Sequence, residues 1–250
     1  MANLKVFLLT FLIFSASLTS HEAYGIVGGD FALGTDLVAQ STVGLSNGCT
    51  GTLITDNIIM TAAHCLMAGQ EIEVIFGLSF QEGIRVSTTA IAIHPSYSST
   101  AGGGQHPDRP SLRPIHDIAL IKLSTFAPTG FLPAPLGSAQ DLVNGAELIL
   151  AGFGQTAAQN GSFGRLKQVR TIFNFYNEDA LEVVFGPTPG RSACRGDSGG
   201  PMYREVGDQI VVIGVTSRGF PALGACSGNG NYTEIEAHLN WIEETINEFN

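Results

Sequence analysis

The stretch Gly196-Asp197-Ser198-Gly199-Gly200-Pro201 decides how this chain is read. A serine hydroxyl is a weak nucleophile and needs a base within hydrogen-bond reach. Attack on a carbonyl also needs donors aimed at the oxyanion that develops. The small residues around Ser198 let a substrate come close and let the backbone turn so that N–H groups face it. The same residues carry fold information. Gly199-Gly200-Pro201 opposes a helix directly after the serine.

Outward from that turn the chain reads as β almost throughout. Runs rich in β-branched residues recur between Gly, Ser, Asn and Pro punctuation: 51–55, 58–62, 72–76, 84–93, 118–123, 147–151, 166–173, 181–185 and 210–216. Gly is 31 of 250 residues, which suits tight turns and barrel corners. Short strands without intervening helical periods argue for a sandwich or barrel. One segment breaks the pattern. Ile235, Leu239, Ile242, Ile246 and Phe249 have helical spacing and predict a C-terminal amphipathic helix over 236–248. Ser96–Pro114, with Gly102-Gly103-Gly104 and three prolines, predicts a long surface loop.

The N-terminus has a cation, Lys5, followed by the apolar run 6–14, which reads as a secretory signal peptide within residues 1–25. A retained signal anchor is the competing reading. Lys5 and Glu22 cancel, so the mature chain keeps the net charge of −10. That charge argues against nucleic acid and anionic membranes as partners. Four cysteines behind a signal peptide imply two disulfides in an oxidising compartment, with three connectivities open. They are spaced too widely for CxxC zinc ligands.

Three further strings carry chemistry: Thr61-Ala62-Ala63-His64-Cys65; His116-Asp117-Ile118-Ala119-Leu120-Ile121-Lys122-Leu123; and Ile26-Val27-Gly28-Gly29. With the serine string they resemble the trypsin/chymotrypsin family of serine peptidases, from Ile26 to the C-terminal helix. The resemblance implies an all-β chain of two packed six-stranded antiparallel β-barrels, roughly 26–130 and 131–235, with the C-terminal helix behind them. It implies a serine endopeptidase with Ser198 as nucleophile, His64 as general base then acid, and Asp117 orienting the imidazole. The N–H groups of Gly196 and Ser198 would form the oxyanion hole. It pairs Cys49 with Cys65 and Cys194 with Cys226. It also implies that the freed α-amino group of Ile26 pairs with Asp197 and so shapes the site.

By the same resemblance, Ser192 lies at the pocket floor with Ala193 beside it, Gly219 and Gly230 are its walls, and Ser217 and Gly219 offer backbone groups to an extended substrate. Cleavage after Arg or Lys needs a carboxylate at that floor. Ser192 supplies none, so the expected preference is for Phe, Tyr or Leu. Arg218 and Arg195 read as solvated, and His116 as a solvated neighbour of Asp117. Gly25 precedes Ile26 where an activating tryptic site would carry Arg or Lys. Two maturation routes fit: signal peptidase frees Ile26 directly, or a short propeptide, residues 21–25, is removed later.

No cofactor or metal is expected; Glu71, Glu73 and Glu82 lie near a loop that binds calcium in some relatives but show no ligand spacing. The expected partners are protein or peptide substrates and protein inhibitors, with no membrane contact after signal removal, and the chain is expected to be a secreted monomer. Asn160 and Asn231 stand in glycosylation sequons. Two competing readings are distinct in kind. An α/β-hydrolase would use Ser198, Asp208 and His238. A non-catalytic binding protein would keep the scaffold and lose a member of the triad.

Overall fold

The computed structural model describes residues 26–66, 71–98, 115–156, 161–178, 181–186, 188–219, 226 and 230–249. The N-terminal segment 1–25, most of the Ser96–Pro114 loop and Asn160 lie outside these residues.

In chain order the elements are β1 (Asp30–Phe31), α1 (Leu37–Ser41), β2 (Thr42–Leu45), β3 (Thr50–Thr55), β4 (Ile58–Thr61), β5 (Glu73–Phe76), β6 (Ile84–Ile93) and β7 (Ala119–Leu123). Then come β8 (Glu147–Gly152), β9 (Lys167–Asn177), β10 (Glu182–Phe185), β11 (Pro201–Val206), β12 (Gln209–Gly219), β13 (Gly230–Glu234) and α2 (Leu239–Phe249). Strands β2–β7 close a six-stranded barrel in the order β2-β3-β4-β7-β6-β5. Strands β8–β13 run in the order β9-β10-β13-β12-β11-β8, and β8 pairs back to β9 with Glu147 opposite Ile172, which closes the second barrel. β1 adds to the outside of β9. Every strand pair is antiparallel.

Each strand expected from the β-branched runs is present. β1, β2, β11 and β13 were not expected, nor was the single turn α1. All five residues of β13, Gly230–Glu234, are buried although four are glycine or polar, so no alternation marks them in sequence. The C-terminal helix begins as a 3₁₀ turn, Glu236–His238, before α2. Leu239, Trp241, Ile246 and Phe249 pack against the apolar cluster that also holds the buried Ile242. Lys122 of β7 donates its ammonium to the carbonyl of Phe249 at the helix end.

One apolar cluster runs from Val43, Leu53 and Ile59 of the first barrel to Ile149, Tyr203 and Val212 of the second. The barrels therefore pack through a continuous core, and the buried Tyr203 hydroxyl bonds Thr42 Oγ1 across the join at 3.1 Å. A second cluster fills the C-terminal barrel and includes Ile26.

Candidate active site

β4 ends at Thr61, and the chain turns into a 3₁₀ segment, Ala63–Leu66, that presents His64. The Cys49–Cys65 disulfide ties this turn to the start of β3 across a separation of 16 residues. Closing a loop of that size stabilises by about 3 kcal/mol on the chain-entropy argument. Asp117 sits just before β7 and is 2 % exposed. Its carboxylate accepts from His64 N at 2.9 Å, faces His64 Nδ1 at 2.7 Å and accepts from the Ser217 hydroxyl at 2.6 Å. Thr233 Oγ1 donates to the Asp117 carbonyl at 3.1 Å. The imidazole is thus fixed by a carboxylate that is itself fixed from both barrels.

Ser198 comes from the other barrel, in the turn that enters β11. Gly199 explains why glycine must follow it. Its φ is +78°, and a Cβ there would lie 2.0 Å from Thr61 Oγ1 and 2.5 Å from the Thr50 carbonyl. The barrels touch at this point. Thr50 is the hub of the contact, and nothing in the sequence pattern marked it beyond its place after Cys49. Its N–H donates to the Ser198 carbonyl at 2.9 Å, its hydroxyl donates to the Gly196 carbonyl at 2.8 Å, and its carbonyl accepts from Thr61 Oγ1 at 2.8 Å. Cys65 Sγ lies 3.8 Å from His64 Nε2 and 3.6 Å from the Ser198 carbonyl, so one sulfur touches both sides of the cleft. Among the described residues no hydrogen bond joins Nε2 to the Ser198 hydroxyl in this conformation; such bonds tighten when substrate fills the cleft. Neither Gly196 N nor Ser198 N donates to an acceptor among the described residues. The Phe163 ring, which the sequence did not single out, lies against Gly196.

Asp197 is 1 % exposed. Its two oxygens accept from Gly154 N and Cys194 N, both at 2.8 Å. Burial nonetheless pushes its carboxyl up to about 7, against the pull of those two bonds. Ile26 is fully buried in the second barrel's core. Val27 N donates to the Ser192 carbonyl at 3.0 Å and Ser192 N returns the bond at 3.3 Å. Gly28 takes φ +71°, with the Gly190 carbonyl 2.0 Å from where a Cβ would stand. The Ile26-Val27-Gly28-Gly29 string is therefore built to lie along the loop that carries Ser192.

At the expected pocket, Ser192 is 3 % exposed and its hydroxyl donates to the Cys226 carbonyl at 2.5 Å. The Cys194–Cys226 disulfide is formed, with Cα atoms 4.9 Å apart. Ala193 is partly exposed beside it. Gly219 and Gly230 pair across β12 and β13 but differ in kind. A Cβ on Gly219 would meet open space, whereas one on Gly230 would lie 2.4 Å from the Phe185 ring. Gly230 is thus a glycine because the barrel core needs the room, so its smallness says less about the pocket than the sequence reading supposed. Ser217, expected to bind substrate through its backbone, also holds Asp117 through its hydroxyl.

Two expectations of solvated side chains are corrected. Arg218 forms a two-pronged ion pair with Glu182, which is 1 % exposed, and Asn231 Nδ2 adds a bond to the same carboxylate at 2.9 Å. Burial raises the Glu182 carboxyl and the Arg218 hydrogen bond opposes that rise. The pairing also buries Asn231, which closes its sequon to a glycan. His116 is partly buried, takes φ +47°, and faces His238 at 3.0 Å and the stacked ring of His94. Arg195 is exposed.

The rival triad does not assemble in this fold. Asp208 is exposed in the β11–β12 turn, and His238 is buried under the C-terminal helix against Glu234 and His116. Glu73 pairs with Arg85 at 3.1 Å and belongs to no metal-competent group among the described residues. Two groups have the ligand types for a metal: Cys49, His64 and Cys65, whose sulfurs are joined as a disulfide, and His94, His116 and His238.

Two packed antiparallel barrels that bring a carboxylate, an imidazole and a glycine-flanked serine to one cleft define the trypsin type of serine hydrolase. A family model for Trypsin matches residues 26–242, and the chain belongs to that family of serine peptidases. It is 29 % identical over 221 residues to phenoloxidase-activating enzyme 1 of Spodoptera litura, covering 79 % of this chain and 59 % of that protein. It is 29 % identical over 223 residues to chymotrypsin-like elastase family member 1 of Felis catus, covering 79 % of this chain and 78 % of that protein. Among solved structures, neuropsin, a serine protease expressed in the limbic system of mouse brain, superposes with a TM-score of 0.70 at 26 % identity over 88 % of this chain and 100 % of that one.

Proposed function

We propose that this chain is a secreted serine endopeptidase that works through an acyl-enzyme, with His64, Asp117 and Ser198 as its triad. The observation that carries the reading is the convergence on Asp117: imidazole Nδ1, the His64 amide and the Ser217 hydroxyl all point at one buried carboxylate, beside the Ser198 turn. With Nδ1 held by Asp117, Nε2 carries the lone pair that takes the Ser198 proton as Oγ attacks the scissile carbonyl. The Gly196 and Ser198 N–H groups receive the oxyanion. His64 then protonates the leaving amine, and a water deprotonated by the same imidazole releases the acyl group.

The expected preference is for Phe, Tyr or Leu at the cleaved bond. Ser192 supports it, because a neutral floor bonded to Cys226 offers a cation no partner. The α-amino group of Ile26 is the proposed partner of Asp197: the buried Ile26 and the Val27–Ser192 bonds run beside the loop that carries this carboxylate. The apolar N-terminal run and the two disulfides support secretion.

The test is a cleavage-site profile on a peptide library with protein that begins at Ile26. Cuts after large apolar residues, with acyl-Ser198 trapped at low pH, are the expected result. Arg-anilide peptides cleaved far faster than Phe-anilide peptides would overturn the specificity, and no cleavage of any peptide would overturn the peptidase reading.

A further inference from the structure

We propose that His94, His116 and His238 form a binding site for a divalent transition-metal ion of the Zn2+ class, clamping the C-terminal helix to the first barrel. The three come from different elements: His94 follows β6, His116 precedes β7, and His238 ends the 3₁₀ turn that starts the helix. One ring nitrogen of each lies within 4.8 Å of the others, and His116 Nδ1 faces His238 Nε2 at 3.0 Å. Ligand nitrogens of one tetrahedral zinc ion sit about 3.3 Å apart, given bonds of about 2.0–2.1 Å.

The surroundings suit ligation. His238 is 2 % exposed and its Nδ1 donates to the Glu234 carbonyl at 2.6 Å, which leaves the Nε2 lone pair aimed into the cluster. A carbonyl holding the far nitrogen of a histidine is the usual outer support of a metal ligand. Metal binds the neutral imidazole. Burial leads in each case, taking His94 and His238 to about 4 and lowering His116. His94 stacks on His116 at 4.5 Å and meets the His238 and Trp241 rings edge-on at 5.3 and 4.9 Å. Its Nδ1 accepts one exposed bond, from Ser96 N at 3.2 Å, and water can replace that bond when the ring turns to an ion. A lone N–H···N bond would account for His116 and His238 alone, whereas His94 also brings a ring nitrogen within 4.8 Å of theirs. Three nitrogen ligands with one open position suit Zn2+, Co2+ or Cu2+ rather than Mg2+ or Ca2+.

The experiment titrates the protein beginning at Ile26 with CoCl2, then ZnCl2, and follows the visible d–d bands of four-coordinate Co2+ together with Tm. One Co2+ per chain, displaced by Zn2+, is expected. So is a rise in Tm of roughly 5–10 °C at a hundredfold excess of metal over Kd. His94→Gln, and separately His116→Asn, should weaken Co2+ binding at least tenfold while keeping the wild-type far-UV spectrum, and His64→Gln should leave it unchanged. Absence of the bands, a loss below tenfold in both variants, or loss of binding in His64→Gln overturns the site.

Discussion

Two buried aspartates, Asp117 and Asp197, sit in the two halves of the molecule and are equipped differently. Asp117, at the first barrel, is met by the His64 amide, the His64 imidazole and the Ser217 hydroxyl. Asp197, in the second barrel's nucleophile loop, has two backbone N–H groups and burial strong enough to push its carboxyl up to about 7. The first is complete with the chain's own side chains. The second gains from a positive charge beside it, and the proposed source is the Ile26 amine. On the proposed function, the difference teaches that the His64–Asp117 pair is preformed, whereas the loop that shapes the oxyanion donors would wait on a free Ile26 amine.

The comparison can be broken most severely at the reacting atoms. Ser198→Ala should lower kcat by about 10⁴–10⁶, and Asp117→Asn by about 10⁴, because Asn presents the wrong partner to Nδ1. Both are read from steady-state hydrolysis of the best library peptide, and a loss below a hundredfold in Asp117→Asn would mean the imidazole is held by something else. Asp197→Asn, or one extra residue kept before Ile26, should cost roughly 10²–10³ in kcat by misplacing the Gly196 and Ser198 donors. Ser217→Ala removes one bond to a charged acceptor and should cost about tenfold.

Smaller effects sharpen the picture. Arg218→Ala strands the buried Glu182 carboxylate and should destabilise by about 1–3 kcal/mol, less than for a wholly buried pair because Arg218 is 28 % exposed. Pairing that change with Glu182→Gln should restore part of the loss, measured by urea unfolding.

The pH dependence discriminates between the two aspartates. With Ile26 capped, Asp197 holds its proton more tightly folded than unfolded, so stability should fall as pH rises from about 4 to 7. His94 and His238, held near 4 in the folded chain, act in the other sense, adding stability as pH rises from about 4 to 6.5. Their contribution cancels when capped and Ile26-initiated proteins are compared. The Tm advantage of the Ile26-initiated form should therefore grow from pH 4 to pH 7; an advantage that stays flat would mean Asp197 has another cation.

Much of the fold was legible because barrel strands are short apolar runs with glycine at their corners, and the stripe Ile235, Leu239, Ile242 and Ile246 announces α2 plainly. β13 was not, because its Asn, Thr and Glu are buried by pairing with β10 and β12 and by hydrogen bonds, which leave no period in the sequence. The site's strings were legible because glycines and a proline are fixed there by close approach. Thr50, the Glu182–Arg218 pair and the three histidines were not. Each acts through partners that only the closed barrels bring together, such as Thr50 and Gly196, which are 146 positions apart.

The most direct test of the central claim is labelling of Ile26-initiated protein with a fluorophosphonate probe, the adduct located by peptide mass spectrometry. The account predicts one phosphonate per chain on Ser198, with labelling slowed by several orders of magnitude in His64→Ala. An unlabelled Ser198 in folded protein, or labelling at the same rate without the imidazole, would contradict it.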